Sequence, residues 1–246
     1  MARTLSLPAG LCLWFLLVGA AQAVTFKPIK VELSPSGAGA TATFVVQNNT
    51  AAPNAIQIFT AERAMDLDGL ETNPEAEEFF LVYPSQMVLE PGEERNVRVT
   101  WIGDPNPAKE LAFRLICEQL PINLEVIQGD VGGQLRILVR YSASVYIVPK
   151  GATPDVVVES AAHQKAEGAP DELVVTLHNQ GTAHTMLTGA TLHVTSATAN
   201  ATVVLSEAQL AGLDGENILA DSQRRFVMPW PQGLPVGEVH AQLTFD

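Results

Sequence analysis

The side chains with the most chemical potential in this 246-residue chain are its five histidines, His163, His178, His184, His193 and His240. The Asn179–Ala183 turn would bring His178 and His184 near one another. A metal centre needs three or four converging ligands, and the chain offers no His-x-His pair and no cysteine beside these residues. They read as surface or hairpin histidines. Asp66, Asp68, Gly69 and Glu71 sketch the start of a calcium loop, but the remaining ligand spacing is missing. The whole run from Asp66 to Glu78 therefore reads as a solvated acidic loop. Cys117 reads as a small buried core residue rather than a nucleophile. The chain has no G-x-S-x-G, phosphate loop, H-E-x-x-H or dinucleotide fingerprint. These readings predict no enzyme, no cofactor and no metal.

The first residues read as a secretory leader. Arg3 supplies a positive start, Leu11 to Val18 an apolar core, and Ala21-Gln22-Ala23 a small-x-small cleavage site. Residues 1–23 are the predicted signal peptide, and Pro8 and Gly10 argue against an uncleaved anchor. No later stretch is apolar enough to insert in a membrane. Cys12 leaves with the leader, so the mature chain keeps Cys117 alone and cannot form an internal disulfide. Its core must hold it together. The formal charge of −13 becomes −14 when Arg3 is removed, which excludes nucleic acid and anionic lipid as natural partners.

The elements that would carry any function are strands. Period-two alternation dominates, valine, threonine and isoleucine are abundant, and glycine, proline and asparagine turns punctuate the chain. Phe26–Leu33 is predicted as one strand with Ile29, Val31 and Leu33 on one face. Ala42–Gln47, Ala55–Ala61, Asn96–Ile102 and Glu110–Leu120 follow. Gln134–Val148 then alternates without a break, with Leu135, Ile137, Val139, Tyr141, Ala143, Val145 and Ile147 at its odd positions. A strand usually has about five or six residues. This one would extend on the order of 45 Å at about 3.3 Å per residue. One small sandwich cannot cover its full length, so it bends between sheets or keeps part of its apolar row for another chain. Pro149–Pro154 reads as a hinge. Leu173–His178, Ala190–Thr195, Ala201–Leu205 and Val236–Phe245 are the strands of a second domain.

Four segments together resemble the periplasmic PapD-like chaperones of the chaperone–usher pathway. They are Pro28–Leu33, Leu89-Glu90-Pro91-Gly92 with Val97-Arg98-Val99, Phe113-Arg114-Leu115 with Glu118–Pro121, and the long alternating strand closing on Pro149. Arg140-Tyr141-Ser142 and the Phe113-Arg114 pair are similar to the archaic and spore-coat-U-like branch. The resemblance covers the first domain best. It implies an all-β fold of two immunoglobulin-like β-sandwich domains set at an angle, residues 24–149 and 150–246. It also implies a periplasmic chaperone for fimbrial subunits, with an outer-membrane usher as a second partner.

In such chaperones an incomplete subunit borrows a strand from its carrier. Unpaired buried backbone groups cost about 1–3 kcal/mol each, and each buried aliphatic side chain contributes roughly 1.5–3 kcal/mol. The resemblance makes Leu135, Ile137 and Val139 the donated row and leaves Tyr141–Ile147 to the chaperone's own core. It also implies a cation that fixes register on the subunit's terminal carboxylate. The family's lysine position on this strand is Ser144 here. Lys27 and Lys30 on the first strand, and Arg114 and Arg140 elsewhere, are the candidate anchors. The rival reading is a structural or adhesin-like pair of sandwiches, whose long strand would be covered by its own sheet. An exposed apolar edge would favour self-association of the free chain.

Overall fold

The computed structural model describes residues 23–121, 138–165, 167–210 and 212–245. The N-terminal half contributes β1 (Val24–Lys27), β2 (Lys30–Leu33), β3 (Thr41–Asn48), β4 (Asn54–Glu62) and a small hairpin of β5 (Ala64–Met65) with β6 (Glu71–Thr72). It continues through β7 (Phe80–Tyr83), β8 (Gln86–Leu89), β9 (Glu94–Trp101), β10 (Leu111–Gln119) and β11 (Arg140–Ile147). These form two facing sheets, ordered β1-β3-β9-β7 and β2-β11-β10-β4-β8.

The alternation explains the core between the sheets. Phe44 and Val46 of β3, Ile56 and Ile58 of β4, Val97, Val99 and Trp101 of β9, and Phe113, Leu115 and Cys117 of β10 all point inward and are buried. Ala143, Val145 and Ile147 of β11 join them. Phe80, Trp101 and Phe113 meet edge-to-face or tilted, with ring centroids 5.0–5.4 Å apart, a geometry that adds to their burial. Asn48 closes the end of β3: its amide donates to the carbonyls of Ala52 and Leu89, and its oxygen accepts from Thr50 and Asn54. A buried amide is tolerated because its partners are supplied locally.

The predicted single strand Phe26–Leu33 is a correction. The chain changes sheets at Pro28: β1 pairs antiparallel with β3, while β2 pairs parallel with β11. Proline has no N–H to give a ladder, so the ladder breaks there, and Ile29 is left 71% exposed instead of sharing the core face. This switch places Lys30 beside β11 and leaves Lys27 on the opposite sheet.

The C-terminal half contributes β12 (Val156–Gln164), β13 (Glu172–Asn179), β14 (Thr185–Met186), β15 (Ala190–Ser196), β16 (Thr202–Leu205), β17 (Asn217–Ile218), β18 (Ser222–Pro229) and β19 (Val239–Phe245). The sheets β12-β13-β18 and β16-β15-β19 enclose a separate core that includes Leu173, Val175, Leu177, Leu192, Val194 and Phe226. The fold is thus a pair of β-sandwiches. Leu135 and Ile137, and with them most of the predicted donor row, lie outside the described residues.

Candidate functional site

Strand register assembles one polar face on the outside of the sheet that contains β11. Lys30 of β2, Ser144 of β11, Arg114 of β10 and Ala61 of β4 stand in one row across four strands. Two residues further along, Glu32, Tyr146 and Ala112 form the next row on the same face. Arg63 extends it, since its N–H donates to the Ala112 carbonyl at 3.0 Å. Side chains two apart on a strand share a face, so Lys30, Arg63, Arg114 and Tyr146 converge.

Glu71 joins this face from the β5–β6 hairpin. Arg114 Nε donates to Glu71 Oε1 at 2.6 Å and Arg114 Nη2 to Oε2 at 2.6 Å, a two-bond fork. Arg63 Nε donates to the same Oε2 at 2.9 Å. Arg114 Nη1 reaches Ser144 Oγ at 2.6 Å, and Arg63 Nη1 reaches the Tyr146 hydroxyl at 2.6 Å. Burial raises the Glu71 pKa. Hydrogen bonds from Arg114 and Asn73 and the charges of Arg114 and Arg63 outweigh that and hold it at about 2. The prediction of a freely solvated loop over Asp66–Glu78 is therefore corrected at this residue. An acidic run read from sequence does not disclose that one member faces two guanidinium groups.

Residues of the second sandwich close the face into a cleft of about 320 Å³, lined by Lys30, Arg63, Ser144, Tyr146, Met186, Glu216 and Asn217 among others. Asn217 Nδ2 donates to the Tyr146 hydroxyl at 2.9 Å. His184 is a third correction: it is not a surface histidine. Its side chain is 7% exposed, its Nδ1 lies 2.7 Å from Glu110 Oε1, and its ring stacks on Tyr146. Lys30 Nζ lies 3.1 Å from His184 Nε2 and 3.0 Å from Glu32. An ammonium group can only donate, so these bonds fit the Nδ1–H tautomer. Arg224, buried in β18, donates to the Asn217 carbonyl and to Glu216.

The four sequence candidates separate. Lys30 and Arg114 share the row; Lys30 lines the cleft, and Arg114 stands next to it against Ser144 and Glu71. Lys27 is exposed on β1 in the other sheet, paired in register with Val45. Arg140 is exposed at the start of β11, 3.8 Å from Glu118 and over the Phe59 ring. Val139, just before β11, is half-buried and accepts a hydrogen bond from the Gln119 N–H at 3.0 Å. Sequence reasoning missed Arg63, Glu71 and Tyr146. The available signal for Arg63 was its alternation with Phe59 and Ala61 at the end of β4. Among the described residues, no cluster of histidine, cysteine, aspartate or glutamate could hold a metal ion.

The family model described as pili and flagellar-assembly chaperone, PapD N-terminal domain, matches residues 24–153. The chain belongs to this family. No curated protein sequence matches it. Among solved structures, the fold is similar to one described as a chaperone–tip adhesin complex of CFA/I fimbriae biogenesis, at 14% identity and a TM-score of 0.58. That match covers 91% of this chain and 94% of the other. It is also similar to the CsuC–CsuE chaperone–tip subunit pre-assembly complex of archaic Csu pili from Acinetobacter baumannii. There the identity is 17%, the TM-score 0.57, and coverage is 86% of this chain and 90% of the other. The class 5 fimbriae chaperone CfaA matches at 15% identity with a TM-score of 0.55, over 91% of this chain and 99% of that one. At these identities the likeness is one of fold. The PapD-like chaperone is thus a pair of β-sandwiches, the first of which gathers Lys30, Arg63 and Arg114 on one sheet face.

Proposed function

We propose that this protein is a periplasmic chaperone that holds incomplete pilus subunits by lending them an edge strand and passes them to an outer-membrane usher. Residues 1–23 are its leader, 24–149 its strand-donating domain and 150–246 its second domain. Among the described residues, no helix is long and apolar enough to cross a membrane.

The observation that carries the reading is the row Lys30–Ser144–Arg114, set in register on the strand that would run back into the donor segment. A partner strand laid beside residues 135–139 would bring its end toward this cleft. There the guanidinium groups of Arg114 and Arg63, paired with Glu71 in the free chain, and the ammonium of Lys30 are the planar and point-charge donors that suit a terminal carboxylate. Leu135, Ile137 and Val139 share the parity of the buried Ala143, Val145 and Ile147, so they would fill the subunit's open groove as the latter fill the chaperone's own. Strand addition is a known recognition mode for this family. In this reading Arg114 takes over as the anchoring cation where Ser144 stands at the family's lysine position, with Lys30 beside it; Lys27 stands on the other sheet, and Arg140 stands at the far end of β11 beside Glu118.

The test is a pull-down from periplasm containing fimbrial subunits. Wild type should retain them, and Arg114→Ala should lose most of that capture while Lys27→Ala does not. Equal capture by wild type and Arg114→Ala would remove the anchor. Failure of wild type to hold any subunit would remove the chaperone reading.

A further inference from the structure

Arg114 has no free fork to offer. Its Nε and Nη2 edge is taken by Glu71, and its Nη1 is taken by Ser144. Arg63 gives its Nε to the same carboxylate. Both arginine side chains are largely buried, at 16% and 9% exposure, and two such guanidinium groups side by side repel unless an anion lies between them. The chain supplies that anion from its own hairpin. We propose that Glu71 is a resident stand-in for the carboxylate of a bound polypeptide end, and that an incoming terminal carboxylate must displace it. This rests on the carboxylate-anchor reading above and adds the group that sets how tightly the anchor can grip.

The hairpin is built to let go. Its ladder consists of the register pairs Ala64–Thr72 and Met65–Glu71, and so short a ribbon is marginal by itself. Its tip is tied to the second sandwich. Asp68 takes a two-bond fork from Arg225 at 2.7 and 2.6 Å, and the Leu67 carbonyl accepts the Arg225 N–H at 2.7 Å. The Asp68–Arg225 pair is exposed, and exposed pairs hold weakly. At the turn, Gly69 adopts φ +84° with the Arg224 guanidinium against it, a position and conformation that only glycine fits easily. The β5–β6 hairpin is therefore a strap between the sandwiches, with Glu71 as its buckle on the anchor. Exchanging one carboxylate for another conserves charge and hydrogen bonds. The exchange is then close to neutral, and the partner's other contacts decide it, which suits a carrier that must release what it holds.

Titration calorimetry at pH 7 tests this with two synthetic twelve-residue peptides of alternating valine and threonine, one ending in a free carboxylate and the other in an amide. Wild type should prefer the carboxylate peptide. Glu71→Gln should bind that peptide about tenfold more tightly and the amide peptide unchanged. A Glu71→Gln protein with an unaltered or weakened carboxylate preference would overturn the stand-in while leaving the anchor in place. No carboxylate preference in either protein would overturn both. A second measurement needs no variant: the carbon-13 carboxyl resonance of Glu71 in wild type should move toward that of a solvated glutamate when the carboxylate peptide is added. A resonance that stays still as the peptide binds would overturn the proposal.

Discussion

The imidazole of His184 lies flat on the phenol ring of Tyr146, with ring centroids 3.8 Å apart and planes within 5° of parallel. Tyr146 is a residue of β11 in the first sandwich, and His184 belongs to the second. The stack is therefore a packed joint between them, and its Tyr146 lines the cleft together with Lys30 and Arg63. Its polar rim is shared: Arg63 and Asn217 both donate to the Tyr146 hydroxyl, and Glu110 receives the His184 Nδ1–H.

Tyr146→Phe keeps the ring and removes its oxygen. Arg63 Nη1 and Asn217 Nδ2 then lose their common acceptor in a buried setting, where a stranded polar group costs about 1–3 kcal/mol. Urea unfolding should show a loss in that range. Subunit capture should also fall, because Arg63 is no longer held at the cleft. A variant as stable as wild type would mean that the hydroxyl bonds contribute nothing.

Glu71 gives the protein an acid sensitivity whose sign is fixed. Its carboxyl is ionised in the native state down to about pH 2, against 4.5 for an unperturbed group. A lowered native pKa means that the unfolded chain binds the proton first as pH falls. The stability that ionised Glu71 adds is fully present at neutral pH, declines below about pH 4.5 and is gone near pH 2. Wild type should exceed Glu71→Gln in unfolding free energy at pH 7, and the two should converge on acidification. A gap that widened toward acid would contradict the pairing with Arg114 and Arg63.

Much of the fold was legible because its period-two alternation is so regular. Val97, Val99 and Trp101 alternate along the predicted strand Asn96–Ile102 and are buried together. Lys30 and Arg114 were singled out by resemblance, and pairing register then placed them in one row. What escaped the sequence depends on contacts between residues far apart in the chain. The change of sheet at Pro28 coincides with a shift of apolar parity, from Val24 and Phe26 before it to Val31 and Leu33 after it, which a single-strand reading passes over. Glu71 sits within an acidic run and is distinguished only by the arginines that fold against it. His184 has no local cue for burial, since its partners Glu110 and Tyr146 come from the other sandwich. The strands Val156–Gln164 and Ser222–Pro229 escaped too, because their outward positions carry Ser160, Gln223 and Arg225 among weaker alternation.

Cys117 should be inert in the native protein. Burial, reinforced by the Glu118 charge, pushes its thiol up to about 12, and the thiolate is the reactive form. Iodoacetamide at pH 8 should leave Cys117 unlabelled in the folded protein and modify it after denaturation. Labelling of the folded protein at a rate near that of free cysteine would contradict the packing of β10.

The proposed function requires a strand lent through the Leu135–Ile137–Val139 row, with its partner's end held at Arg114. The most direct measurement is photo-crosslinking from benzoylphenylalanine placed at position 137 in cells that co-express a pilus subunit, with Val227 on β18, half exposed and not among the residues lining the cleft, as the control position. Position 137 should crosslink to the groove-lining strands of the subunit, position 227 should not, and Arg114→Ala should weaken the adduct. A complex that forms normally yet yields no adduct from position 137 would show that the subunit is held by another surface.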